Sequence, residues 1–175
     1  MNITTPALEL RLQTKSQALF EYERASPEDK AQVAPEWLAR VNSSQDSDPW
    51  VHGFKMVLRQ DGTEVGRCGF TGPPDADGIV EIAYGVDEEF RGRGYATEAA
   101  AASIDAAFNS LGIKSIVATV YPDNKPSLRV LEKLGMRLES EVFGHWPMTT
   151  ALLFRIHAEK WFHQRTARTL VDRAP

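Results

Sequence analysis

One stretch restricts the architecture more than any other. A β-rich run from Ile79 to Val86 leads through Arg91-Gly92-Arg93-Gly94-Tyr95-Ala96 into an alanine-rich helical run, Thr97 to Leu111. A stop at Gly112 and a β-branched run from Ser115 to Val120 follow. Strand, glycine turn, helix and strand make a crossover unit, and the right-handed crossover rule makes its two strands a parallel pair. Two glycines opening a helix also gather several backbone N–H groups at one point, where the helix dipole favours an anion. The expected ligand is a phosphate or pyrophosphate carried by a cofactor. Two familiar phosphate loops do not fit: Thr97 stands where the dinucleotide fingerprint has its third glycine, and no Gly-Lys-Ser/Thr closes the loop.

The rest of the chain builds around this unit. Leu8, Leu10 and Leu12 alternate with polar residues as a strand with one buried face. A helix is expected from Ser16 to Glu23. A second starts at Ser26-Pro27-Glu28-Asp29 and runs toward Val41, interrupted at Pro35. Asn42 to Pro49 reads as an exposed loop. The turn Gln60-Asp61-Gly62 joins Gly53–Arg59 to Thr63–Thr71 as a hairpin, and Ile79–Val86 extends it into an antiparallel meander. Asn124 to Met136 reads as a loop, a short amphipathic helix and a glycine stop. Arg137–Phe143 and Thr149–His157 form a terminal antiparallel pair around Gly144-His145-Trp146-Pro147, and beyond Phe162 the tail is expected to be loosely ordered. The fold class is a mixed α/β domain spanning residues 1–175, its sheet largely antiparallel and parallel only near the middle.

Charge and composition narrow the partners. At a formal net charge of −4, with no basic block, a phosphate-tracking nucleic-acid surface is not expected. No apolar run is long enough for a membrane span, and the N-terminus has no signal-peptide core, so the expected location is the cytoplasm. The four histidines and one cysteine have no metal-ligand spacing. Cys68 lies in a strand-like run and reads as a buried small hydrophobe.

Arg91, Gly94 and Ala96 occupy the fixed positions of an R/Q-x-x-G-x-G/A loop. Asn124-Lys125-Pro126-Ser127 gives N-x-x-S, and Glu132-Lys133-Leu134-Gly135-Met136 is similar to E-K-x-G-F. In this order and spacing the chain resembles the GNAT family of N-acetyltransferases, in the branch typified by ribosomal-protein N-terminal acetyltransferases. The resemblance runs from about Asp61 to about Phe162. It implies acetyl-CoA as cofactor, held in a cleft where the parallel strands splay apart. Backbone groups of Arg91, Gly92, Arg93, Gly94, Tyr95 and Ala96 would hold its pyrophosphate, those of Ala83, Tyr84, Gly85 and Val86 its pantetheine, and Asn124 its arm.

By the same resemblance Ser127 is the candidate acid for the leaving thiolate and Glu81 the candidate base. Other readings stand beside these: Ser127 as a helix cap, Glu81 facing solvent, Tyr84 as core. By the resemblance Trp37, Trp50 and His52 belong to a segment that walls the acceptor pocket, while His145 and Trp146 either grip the acceptor or cover the core edge. At its start the branch commonly reads Arg-Leu-x-Leu-Arg-Pro, where this chain has Leu8-Glu9-Leu10-Arg11-Leu12-Gln13. The acceptor is therefore left open among a protein N-terminus, an amino acid, a polyamine and an amine drug. A non-catalytic acyl-CoA-binding module and a nucleotide-binding protein are the alternative functions, and a homodimer through the terminal strands is left open.

Overall fold

The computed structural model describes residues 2–30, 33, 35–110, 112–145 and 149–171. Among these, eight strands form one sheet: β1 (Asn2–Thr4), β2 (Leu8–Leu12), β3 (Phe54–Leu58), β4 (Glu64–Phe70), β5 (Ile79–Val86), β6 (Ser115–Val120), β7 (Arg137–His145) and β8 (Thr149–His157). Their spatial order is β1-β2-β3-β4-β5-β6-β8-β7. Every pairing is antiparallel except that of β5 with β6, which the crossover helix α4 (Tyr95–Phe108) makes parallel. The other helices are α1 (Lys15–Arg24), α2 (Pro27–Lys30), α3 (Pro35–Ser43), α5 (Lys125–Lys133) and α6 (Ala158–Val171).

The parallel pair parts early. Register runs Ile79↔Ser115, Val80↔Ile116 and Glu81↔Val117, and there it ends, although both strands continue. From Ile82 to Val86, β5 is held by β4 alone, while β6 stays with β8 out to Val120↔Leu152. The sheet is thus split between β5 and β6.

Which backbone groups line that split follows from parity. Thr71 N–H donates to Glu81 O at 3.0 Å and Asp87 N–H to Val65 O at 3.0 Å, so the odd-numbered residues of β5 bond to β4. In an antiparallel ladder the alternate residues turn their N–H and C=O the other way. Those of Ile82, Tyr84 and Val86 therefore face the gap.

Alanines let α4 lie close to the sheet. Ala99, Ala100, Ile104, Ala107 and Phe108 are buried on its inner face. Ile104 and Phe108 join Val80, Ile82, Ile116 and Ile156 in one cluster, while Ala99 packs with Leu8, Leu10, Phe54 and Met56 in another. Cys68 sits in the second, its thiol pushed up to about 11 by burial and 3.4 Å from the Ser103 hydroxyl. It is a packing residue, as its strand position implied.

The structure departs from the sequence reading toward both ends of the chain. A short strand, β1, precedes the first expected one; three residues are too few to show an alternation. The interruption expected at Pro35 is present: α2 ends at Lys30 and α3 opens at Pro35. Where a loosely ordered tail was expected beyond Phe162, α6 continues to Val171, and residues 172–175 lie outside the described residues. Trp161 Nε1 donates to Asp105 Oδ1 at 2.7 Å, and Arg165 pairs with Asp105 Oδ2 at 2.8 Å, pinning α6 to α4. Asp105→Ala should cost about 2 kcal/mol by stranding a buried indole N–H. Hydrogen exchange on that variant should show α6 opening before the sheet.

Among the described residues no helix is long and apolar enough to cross a membrane.

Candidate functional site

The glycine loop is built to leave donors unused. Val86 leads into a short 3-10 turn, Glu88–Phe90, whose closing bonds come from Phe90 N–H to Asp87 O and Arg91 N–H to Glu88 O. Gly92 and Gly94 then take positive φ of 79° and 89°, and Gly94 caps α4 with no side-chain bond. Glu98 is the first residue of α4 to donate back, to Gly94 O at 3.0 Å. Among the described residues the N–H groups of Gly92, Arg93 and Gly94 have no acceptor, and those of Tyr95, Ala96 and Thr97 precede the first helical bond. A Cβ built on Gly85, Gly92 or Gly94 would meet nothing within 4 Å, so the backbone here borders open space.

That space is a cavity of about 610 Å³ between the loop, the end of β5 and one side of α5. Tyr84, Gly85, Val86 and the loop line it from one side, and Asn124, Ser127, Arg129 and Lys133 from the other. A second cavity, of about 590 Å³, lies toward α3 and contains Trp37, Arg40, Glu81 and Ala83. Tyr84, Asn124 and Ser127 line both. The two cavities meet where the sheet is split.

At this junction Asn124 Oδ1 accepts the Ser127 N–H at 3.2 Å and Pro126 fills the first turn, so Asn124 caps α5. The cap reading of Ser127 is thereby replaced: its hydroxyl is not what closes the helix. Asn124 Nδ2 has no partner among the described residues and remains available to a ligand. Tyr84 OH reaches Ser127 O at 3.5 Å, and burial holds its phenol above the ordinary value. Glu81 is half-buried between Val80 and Ile82, both buried, so its side chain takes the face opposite the core. Its Oε2 accepts from Thr71 Oγ1 at 3.2 Å.

The remaining candidates divide. Arg91 lines the first cavity with Nε on Val86 O at 3.0 Å. Arg93 offers main chain only, since its guanidinium turns back to Glu89 O at 3.1 Å and over the Phe90 ring. Of the four residues expected along pantetheine, Tyr84 and Val86 turn their backbone to the gap, whereas Ala83 and Gly85 are bonded to β4. Trp37 lines the second cavity, its indole donating to Val51 O at 3.2 Å. Trp50 packs on Phe70 in the core, with ring centroids 4.9 Å apart.

His52 is buried away from both cavities. It accepts from Asp48 N–H at Nδ1 (3.0 Å) and meets Ser44 Oγ at Nε2 (2.8 Å), so it organises the loop after α3. The backbone of His145 closes β7, and Trp146 lies outside the described residues.

His52 carries a pH dependence. Burial, opposed by the charges of Asp48 and Asp46, holds its pKa below the ordinary 6.5. Below that value the unfolded chain binds more protons than the folded one, so stability is complete above it and is lost as pH falls toward the folded pKa. As the pH is lowered from about 7.5 to about 5.5 the wild type should lose more stability than His52→Gln. Urea unfolding at the two pH values checks this; equal losses contradict it.

Several lining residues went unmarked in the sequence. Arg129 and Lys133 sit one turn apart on the polar side of α5, and Glu36 and Arg40 one turn apart on α3. Polar helix positions at this spacing read as solvated surface until the helix is docked. Only the packing of α3 and α5 beside the split brings them to a cavity.

Comparison with known proteins decides what this geometry belongs to. The sequence model of the acetyltransferase (GNAT) domain matches residues 6–137. The chain belongs to the GNAT acetyltransferase family. The uncharacterized N-acetyltransferase YjdG of Bacillus subtilis is 34% identical to this GNAT protein over 118 residues, 66% of the chain and 67% of YjdG. A GNAT-family acetyltransferase structure from Bacillus anthracis superposes with TM-score 0.69 at 26% identity, covering 91% of this chain and 99% of that one. Mycobacterium smegmatis RimJ, solved in complex with CoA-disulfide, shares the fold at TM-score 0.66 and 22% identity, over 97% of this chain and 93% of its own. As a GNAT protein with named N-acetyltransferases among its relatives, the chain is an N-acetyltransferase. The family uses acetyl-CoA.

Proposed function

We propose that the protein moves an acetyl group from acetyl-CoA to a primary amine by direct attack in a ternary complex. The observation that carries this is the meeting of two cavities at Tyr84, Asn124 and Ser127, one rimmed by unused N–H donors and the other holding Glu81. The first fits the coenzyme: an amide cradle at a helix N-terminus for the diphosphate, and the gap-facing N–H and C=O of Tyr84 with the N–H of Val86 for an amide-rich arm. Arg91, Arg129 and Lys133 add positive charge to its walls. Gly85, Gly92 and Gly94 leave the room that a side chain would take.

Acetyl-CoA supplies a thioester carbonyl at the junction. Glu81 takes the proton that turns the acceptor's ammonium into a nucleophilic amine. The nitrogen attacks the carbonyl carbon, and N–H groups of β5 facing the gap stabilise the charge that develops on oxygen. As the C–N bond forms, the nitrogen releases its surplus proton to solvent; as the C–S bond breaks, the Ser127 hydroxyl gives its proton to the departing sulfur and is reprotonated from solvent, to which Glu81 also returns the proton it took. The products are an N-acetyl amide and the free coenzyme thiol. The second cavity supports a small amine or the end of a polypeptide as acceptor.

Calorimetry with acetyl-CoA, followed by thiol release across a panel of primary amines, tests the reading. Binding in the micromolar range and amine-dependent thiol release are expected. A protein that does not bind the coenzyme overturns it.

A further inference from the structure

The acceptor cavity carries an element that transfer to a bare amine does not need. Arg40 lines it, and its guanidinium is seated: Nη1 donates to Thr71 O at 2.7 Å. The head lies so close over Gly72 that a Cβ there would stand 2.5 Å from Nη1 and 3.2 Å from Cζ. Gly72 is itself buried, so its missing side chain is what makes the seat. Nε and Nη2 make no hydrogen bond among the described residues, and Arg40 forms no ion pair among them. A planar guanidinium fixed through one nitrogen, with others unused at a cavity wall, is suited to a carboxylate in two parallel bonds.

Thr71 ties this seat to the candidate base. Its carbonyl holds Arg40, its N–H donates to Glu81 O and its hydroxyl to Glu81 Oε2. One residue therefore sets a positive and a negative group side by side on the same wall. Glu36, one turn before Arg40 on α3, lines the cavity as a second carboxylate. A wall carrying carboxylates and a guanidinium suits a ligand that carries both ammonium groups and a carboxylate.

We propose that the acceptor is a free diamino acid, its carboxylate held by Arg40, its reacting amine beside Glu81 and Ser127, and its second ammonium drawn by the other carboxylate. This rests on the acetyl-transfer reading and adds the class of the acceptor. A polyamine leaves the seated guanidinium without an anion, and a polypeptide N-terminus has an amide where the carboxylate is needed. The bond changes are those of the transfer itself.

Three acceptors built on one carbon skeleton test it by acetyl-CoA-dependent thiol release. Ornithine has both amines and the carboxylate, putrescine lacks the carboxylate, and norvaline lacks the side-chain amine. Ornithine should exceed each of the others in kcat/KM by about tenfold or more, because a site built around a polar group rejects the analogue without it. Arg40→Gln should cut kcat/KM for ornithine about tenfold and bring the ornithine-to-putrescine ratio toward one. Gly72→Ala keeps the guanidinium but pushes it off its seat. It should raise KM for ornithine several-fold with a smaller change in kcat, and its melting temperature checks that the fold survives. Equal use of putrescine and ornithine, an unchanged ratio in Arg40→Gln, or coenzyme binding without acetylation of any of the three overturns the diamino acid proposal while leaving the coenzyme site standing. Absence of acetyl-CoA binding in calorimetry overturns the parent reading and this one with it.

Discussion

Gly94→Val should weaken acetyl-CoA binding by more than about 100-fold, equivalent to about 3 kcal/mol. Gly94 has φ of 89°, a conformation in which a β-branched residue is a genuine outlier. Either the loop rearranges and re-aims the N–H groups of Gly92 to Ala96, or a valine side chain enters the space where a diphosphate must approach. Charge-assisted bonds to such donors contribute about 1.5–3 kcal/mol each, so losing two is enough for the stated effect. Gly62 separates backbone strain from ligand contact. It has a similar φ of 79°, meets nothing within 4 Å of its Cβ position, and lies in the turn between β3 and β4, away from the cavities. Gly62→Val should lose comparable stability and keep its coenzyme affinity. Calorimetry on both variants measures the difference, and equal affinities would remove the loop from the binding site.

Ser127→Ala should lower kcat by about 100-fold to 1000-fold, the scale of a positioned general acid. Asn124, not Ser127, caps α5, so removing the hydroxyl should leave the helix and the melting temperature intact. Coenzyme affinity should change little, because the donors proposed for the diphosphate belong to the loop. The separation of turnover from binding and stability is the diagnostic. A variant with wild-type kcat assigns the proton to another donor, and Tyr84, whose hydroxyl lies 3.5 Å from Ser127 O, is the nearest one on the wall shared by both cavities.

The residues lining the first cavity were legible in sequence because their grouping depends on local order. The strand, the positive-φ glycines and the alanine helix are contiguous, and Asn124 to Met136 carries its own cap and stop. What those residues do is set by neighbours a few positions away, and the structure keeps them together around one cavity. Even there, sequence did not specify which side of β5 each peptide faces. Tyr84 and Val86 open to the gap and Ala83 and Gly85 do not, because β4 claims the odd-numbered residues.

The second cavity was not legible, because it is assembled from distant elements. Trp50 and His52 are aromatic, polar-tipped and close in sequence to the cavity wall, yet one packs on Phe70 and the other is satisfied by Asp48 and Ser44. Glu36 and Arg40 reach the cavity only through the docking of α3, a contact no local pattern announces. The helix α6 went unread for a related reason. Its order comes from the bonds that Trp161 and Arg165 make to Asp105 across to α4, not from its own periodicity.

A crystal structure of the protein with coenzyme A tests the central assignment most directly. The diphosphate should lie within hydrogen-bond distance of the N–H groups of Gly92 to Ala96, with the thiol end reaching the junction at Tyr84, Asn124 and Ser127. A coenzyme bound elsewhere, with those N–H groups facing only water, would contradict the account.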